Sequence, residues 1–97
     1  MTKDPDKYQI AIVGLGYVGL PLAIEFAKKY SVIGYDINQS RVSDLQNSFD
    51  KTLEVEKSEL LEAKSLAFTS DLDEISNCNI YIIGVPTPVN NIFALKR

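Results

Sequence analysis

An α/β fold, in which parallel strands alternate with helices, is predicted for this chain by three observations. The apolar run Tyr8-Gln9-Ile10-Ala11-Ile12-Val13 leads directly into glycines spaced Gly14-x-Gly16-x-x-Gly19. A second short apolar run, Ser31-Val32-Ile33-Gly34-Tyr35, ends in the acidic Asp36. A third, from Asn79 to Val85, is continuously apolar at its centre, as expected of a strand buried on both faces.

The elements follow in order. The first strand covers residues 8–13. The first helix runs from Tyr17 to Lys29, with Val18, Leu22, Phe26 and Tyr30 at i, i+4 spacing. Leu20, Ile24 and Ala27 widen that stripe into a face suited to packing on a sheet. Pro21 falls in the first turn, where a missing N–H costs least, and Lys28 and Lys29 complement the C-terminal dipole. The second strand is 31–35. Asn38 or Ser40 caps the next helix, which carries Val42, Leu45 and Phe49 on one side. The polar Asp50-Lys51-Thr52-Leu53 interrupts the pattern. Residues 56–64 form a further helix with Leu60, Leu61 and Ala63, and Leu66-Ala67-Phe68-Thr69 a brief third strand. Asp71 opens a very short helix with Glu74 as its return partner, before the fourth strand at 79–85.

Right-handed crossovers place these strands in the spatial order 3-2-1-4. The result is a Rossmann-like parallel sheet, part of a doubly wound domain with flanking helices, and the whole chain 1–97 belongs to it. The glycine turn then lies at the switch point between strands 1 and 4. Beside it comes the tip of strand 4, Gly84-Val85-Pro86-Thr87-Pro88.

A strand, a tight turn and a helix N-terminus make a seat for a pyrophosphate. Gly14 turns the chain off the strand, Gly16 lets a phosphate approach the backbone, and Gly19 lets the helix lie close. Free N–H groups and the helix dipole attract the anion. Asp36, 20 residues after Gly16, suits the ribose hydroxyls of an adenosine, and its charge repels a 2′-phosphate. NAD is therefore expected rather than NADP. The ordinary alternative for Asp36 is a helix cap or a solvated loop carboxylate. The backbone of Val85 and Pro86 and the Thr87 hydroxyl face the cofactor in this arrangement; a proline-stiffened loop is the alternative.

Composition agrees with one small globular domain: 97 residues, 45% hydrophobic, 24% charged. The net charge of −3 and scattered lysines and arginines leave no nucleic-acid footprint. No apolar run is long enough to span a bilayer, and the polar start from Met1 to Lys7 does not read as a secretory signal. The single cysteine, Cys78, has no internal disulfide partner and suits a reducing cytoplasm. With no histidine, there is no metal-ligand spacing.

Three phrases together carry a family resemblance: Gly14-Leu15-Gly16-Tyr17-Val18-Gly19-Leu20-Pro21, then Val32 to Gln39 with Arg41, then Val85 to Asn90. They resemble the UDP-sugar 6-dehydrogenases, in particular the branch acting on UDP-N-acetylhexosamines. Thr52 to Val55 and Phe68 to Ser70 are similar to that branch as well. The resemblance implies oxidation of a sugar C6 alcohol to a uronic acid in two NAD-dependent steps, for surface polysaccharide biosynthesis. It implies that Leu15, Tyr17 and Val18 meet the cofactor through the glycine turn, that Asp36 holds the ribose, that Arg41 lies at the adenosine end, and that Thr87 lies near the cofactor. Without it, Arg41 would be a solvated helix residue and Tyr17 a helix-packing one. The family's catalytic cysteine and lysine, its dimerisation region and its UDP-sugar domain fall beyond the matching segment, so the chain by itself is expected to lack dehydrogenase activity. Cys78 precedes strand 4, where no catalytic cysteine is expected, and reads as a small buried apolar residue. The parent enzyme is expected to be a homo-oligomer. A chain ending after strand 4 is expected to leave an apolar edge prone to self-association. The alternative is a non-catalytic remnant that binds NAD weakly or serves only as a structural fragment.

Overall fold

The computed structural model describes residues 7–84. A four-stranded parallel sheet has the order β3-β2-β1-β4, with β1 Gln9–Val13, β2 Ser31–Tyr35, β3 Leu66–Thr69 and β4 Ile80–Ile83. Gln9 lies opposite Ser31 and Val13 opposite Tyr35; on the other side of β1, Ile10 faces Ile80 and Val13 faces Ile83. Val32 to Tyr35 pair with Leu66 to Thr69. The ladders run one residue past the strands: Gly14 N donates to Tyr35 O at 2.8 Å and Gly84 N to Val13 O at 2.7 Å. Thus the first glycine and the exit of β4 are tied to the sheet. At the opposite end, Asn79 clips the start of β1, accepting from Gln9 N and donating to Lys7 O.

Helix α1 spans Gly19–Ala27, two residues shorter at each end than its apolar pattern suggests. Its buried stripe also differs from the expected one. Gly19, Leu20, Ala23, Ile24 and Ala27 face the sheet, whereas Val18 is exposed and Leu22, Phe26 and Tyr30 are half-buried. Two apolar stripes overlap on this helix, and periodicity does not choose between them. Closeness of approach does: Gly19, Ala23 and Ala27 recur at i, i+4 and let the backbone come near the strands.

Helix α2, Gln39–Gln46, is capped by Asn38, whose side chain accepts from Arg41 N at 3.1 Å, and it buries Val42 and Leu45. Phe49 does not share that face. Ser48, at φ 62°, turns the chain away first and leaves Phe49 exposed. Helix α3, Lys57–Glu62, starts with a capping box between Glu56 and Glu59 and buries Leu60 but not Leu61. The short helix expected after Asp71 is a 3₁₀ turn, Leu72–Ile75. Asp71 caps it by accepting from Asp73 N, but the Asp71 amide donates to the Thr69 hydroxyl rather than to Glu74.

One core lies under α1, α2 and α3 and contains Ile10, Ile12, Leu15, Leu20, Ile24, Val32, Leu45 and Leu60. Fully burying each such side chain contributes about 1.5–3 kcal/mol. The other face holds a smaller cluster of Ala11, Tyr35, Ile75 and Cys78. β4 is not buried on both faces as its composition suggests. Tyr81 and Ile83 on that second side are exposed; Tyr81 reaches the 3₁₀ turn with its hydroxyl, which donates to Ile75 O, but the turn does not cover the strand.

Candidate dinucleotide-binding site

Three backbones converge without side chains where β1 ends, α1 begins and β4 ends. Gly14 has φ 98°, a conformation that favours glycine. A Cβ on Gly19 would lie 1.7 Å from Gly14 O, and one on Gly84 would lie 2.7 Å from Gly19 Cα. The two outer glycines of the spacing therefore have the tasks expected of them, and Gly84, expected beside the turn at the tip of strand 4, lies against Gly19 there. Leu15, between Gly14 and Gly16, points inward and is fully buried. Gly34 makes room for it, since a Cβ there would meet Leu15 Cδ2 at 2.8 Å.

The first intrahelical bond at this end runs from Leu20 N to Gly16 O at 3.2 Å. The amides of Gly16, Tyr17, Val18 and Gly19 precede it and have no intrahelical acceptor. No acidic side chain occupies the first turn, and Val18 supplies no side-chain cap. Among the described residues the positive end of the helix therefore has no acidic or capping side chain of its own first turn. Gly16 is half-buried, while Tyr17 is 60% and Val18 55% exposed, so Tyr17 is not spent on helix–sheet packing.

Asp36 stands at the tip of β2 and reaches the turn directly. Its Oδ2 accepts from Leu15 N and its Oδ1 from Asn38 N, each at 2.9 Å. It orders both the glycine turn and the approach to α2. A carboxylate has about four acceptor positions, so two remain for hydroxyl donors. Ile37 beside it is 82% exposed, an apolar surface that the strand pattern did not single out.

Arg41 is not a solvated helix residue. Its side chain is 10% exposed; Nε donates to Leu15 O at 2.8 Å and Nη1 to Asp50 Oδ1 at 2.7 Å. Among the described residues Nη2 is buried with no partner. Asp50, which the sequence places in a polar interruption, is almost wholly buried. It accepts from Thr52 N, the Thr52 hydroxyl, Glu54 N and Val55 N, so the loop wraps around its carboxylate. Burial alone would raise the pKa of Asp50. The Thr52 hydroxyl, the Arg41 guanidinium and the amides of Val55 and Thr52 outweigh it and hold the carboxyl far below its usual range. The one sequence signal for this was Asp50-x-Thr52, a turn in which a carboxylate binds the backbone two residues on.

Val85, Pro86 and Thr87 lie outside the described residues. Cys78 is buried beside Ala11, Tyr35 and Ile75, and burial pushes its thiol pKa up. Among the described residues no group of acidic, histidine or cysteine side chains could hold a metal ion, and no helix is long and apolar enough to cross a membrane.

A parallel sheet in this order, a glycine turn where the order reverses, and a carboxylate at the second strand's tip define a Rossmann-type dinucleotide-binding domain of the dehydrogenase kind. Residues 8–94 match the UDP-glucose/GDP-mannose dehydrogenase family, NAD binding domain, and the chain belongs to that family. NAD is the cofactor of this domain. The chain is 54% identical over 82 residues to UDP-N-acetyl-D-glucosamine 6-dehydrogenase of Pseudomonas aeruginosa, covering 84% of this chain and 19% of that protein. It is 54% identical over 85 residues to the enzyme of the same name from Salmonella typhi, covering 88% and 20%. The solved UDP-D-ManNAc dehydrogenase of Pyrococcus horikoshii superposes with a TM-score of 0.69 at 34% identity, over 82% of this chain and 20% of that one. The chain thus spans about a fifth of the length of these relatives.

Proposed function

We propose that this chain is the N-terminal part of the NAD-binding domain of a cytoplasmic, homo-oligomeric UDP-N-acetylhexosamine 6-dehydrogenase serving surface polysaccharide synthesis. The observation that carries the reading is the glycine turn, where Gly14 takes a conformation that favours glycine, Gly19 and Gly84 leave no room for a Cβ and the helix-start amides lack an intrahelical acceptor, joined to Asp36 through Leu15 N at 2.9 Å. The similarity to UDP-N-acetyl-D-glucosamine 6-dehydrogenases points to the sugar class.

The residues present fit a dinucleotide. Gly16, Tyr17 and Val18 would hold the pyrophosphate with their amides, and Asp36 would accept from the adenosine ribose. Val85, Pro86 and Thr87 would complete the wall at the tip of β4. The Asp36 charge disfavours a 2′-phosphate and so selects NAD over NADP. When bound, NAD would supply the hydride acceptor for the sugar C6, two NAD and the oxygen of one water being needed to take the alcohol to the carboxylate. This chain's part is to bind and orient the dinucleotide; the sugar and the acid–base and nucleophilic groups belong to other parts of the whole protein.

The test is titration of the chain with NAD, followed by assay for NADH with UDP-GlcNAc, UDP-GalNAc and UDP-ManNAc. NAD binding that Asp36→Ala weakens, with no substrate-dependent NADH, is expected. Absence of binding at millimolar NAD would leave a purely structural fragment. Substrate-dependent NADH from the pure chain would refute the division of labour.

A further inference from the structure

We propose that Asp50 is a positioning residue of the dinucleotide site, acting through Arg41 to aim the Gly16 amide at the pyrophosphate. The inference rests on the NAD-binding reading and deepens it.

The argument starts from the peptide bond. A trans peptide unit is planar, and its C=O and N–H point in opposite directions. Holding one end therefore aims the other. Leu15 N donates to Asp36 Oδ2, so the carbonyl of Gly14 in the same unit must point the opposite way. It does: Gly14 O is the atom that a Cβ on Gly19 would strike. The next unit obeys the same rule. Leu15 O accepts from Arg41 Nε at 2.8 Å, so the Gly16 N–H points away from Arg41. The Arg41 side chain is buried, and in the proposed arrangement the amide turns away from that buried side, toward the helix start.

An arginine side chain is long, and its direction must be fixed by something else. Asp50 does this, taking Nη1 at 2.7 Å while three backbone amides and the Thr52 hydroxyl hold the carboxylate in place. The chain of contacts is loop 50–55, Asp50, Arg41, Leu15 carbonyl, Gly16 amide. The unpartnered Nη2 fits this role. For stability alone, an apolar pair of the same volume would fill the space without stranding a donor, so the ion pair is explained by direction.

The experiment compares NAD with adenosine, which has the ribose and the base but no phosphate. Both are titrated into the full chain and into Asp50→Asn, following the Gly16 amide resonance. The expected result is NAD binding weakened about tenfold or more with adenosine binding unchanged within about twofold, and a smaller NAD-induced shift at Gly16. Thr52→Val, which removes the hydroxyl that helps to hold Asp50 Oδ1, serves if Asp50→Asn fails to fold, and a selective loss of NAD binding in the same direction is expected. Parallel loss of both ligands, or loss of neither, overturns the inference and leaves the cofactor reading intact. If the unsubstituted chain binds neither ligand, the cofactor reading falls and the inference with it.

Discussion

Replacing Gly19 by alanine tests the geometry of the site most directly. The added Cβ would sit 1.7 Å from Gly14 O and 2.8 Å from Gly14 C, where ordinary contact begins near 3.4 Å. Helix and turn must separate by about 1.7 Å, and neither atom belongs to a side chain that could swing aside. Overpacking of this kind costs about 1–3 kcal/mol, and a backbone clash belongs at the upper end. Alanine returns up to about 1 kcal/mol through helix propensity, which leaves a net loss of about 2 kcal/mol. For a domain of this size that lowers Tm by about 8–16 °C. The amides of Gly16 to Gly19 move with the helix, so NAD affinity should fall as well. Gly34→Ala is the control. Its Cβ would meet the end of a leucine side chain at 2.8 Å, a softer contact, and it should cost less. Thermal melts followed by circular dichroism measure both. A Gly19→Ala melt within about 3 °C of the parent, or a larger loss for Gly34→Ala, would refute the reasoning.

Asp36→Ala leaves the Leu15 amide, in a fully buried residue, without its acceptor and should cost about 1–3 kcal/mol in urea unfolding, in addition to weakening NAD. Asp50 has its pKa lowered on folding, so it stabilises the fold at pH above its unfolded value of 3.8, and this contribution drains away as pH falls below that. A plot of stability against pH should therefore drop steeply between about pH 5 and pH 2, and Asp50→Asn should flatten the drop; an unchanged slope contradicts the assignment. Cys78, buried with a raised thiol pKa, should resist a thiol reagent at pH 8 in the folded chain and react promptly in urea. Equal rates in the two conditions would show that its packing is wrong.

The sheet order was legible because each strand is a short apolar run between turn residues, and right-handed crossovers leave little choice of arrangement. Gly14 and Gly19 were legible because their spacing is local. What escaped was set by distant partners. Asp50 looks like any loop carboxylate until Arg41, nine positions earlier, folds over it. Gly84 was legible as a neighbour of the turn, but its close approach to Gly19, on another element, was not. The stripe that α1 buries depends on how near the helix approaches the sheet, which apolar periodicity does not encode. Tyr81 and Ile83 have the composition of a buried strand, but burial needs a neighbour, and composition does not say whether one is within reach. Asp36 was read with two alternatives, ribose acceptor or capping carboxylate. Its two bonds to backbone amides use half of its acceptor positions, so the one does not displace the other.

The inward-pointing Leu15 has a consequence for kinetics. With its side chain sunk in the core and both ends of its backbone gripped by charged groups, the segment proposed to meet the phosphates is riveted down before any ligand arrives. Such a seat surrenders little chain entropy on loading. Its association rate should follow the frequency of encounters in solution, and discrimination among nucleotides should show up in how long each one stays.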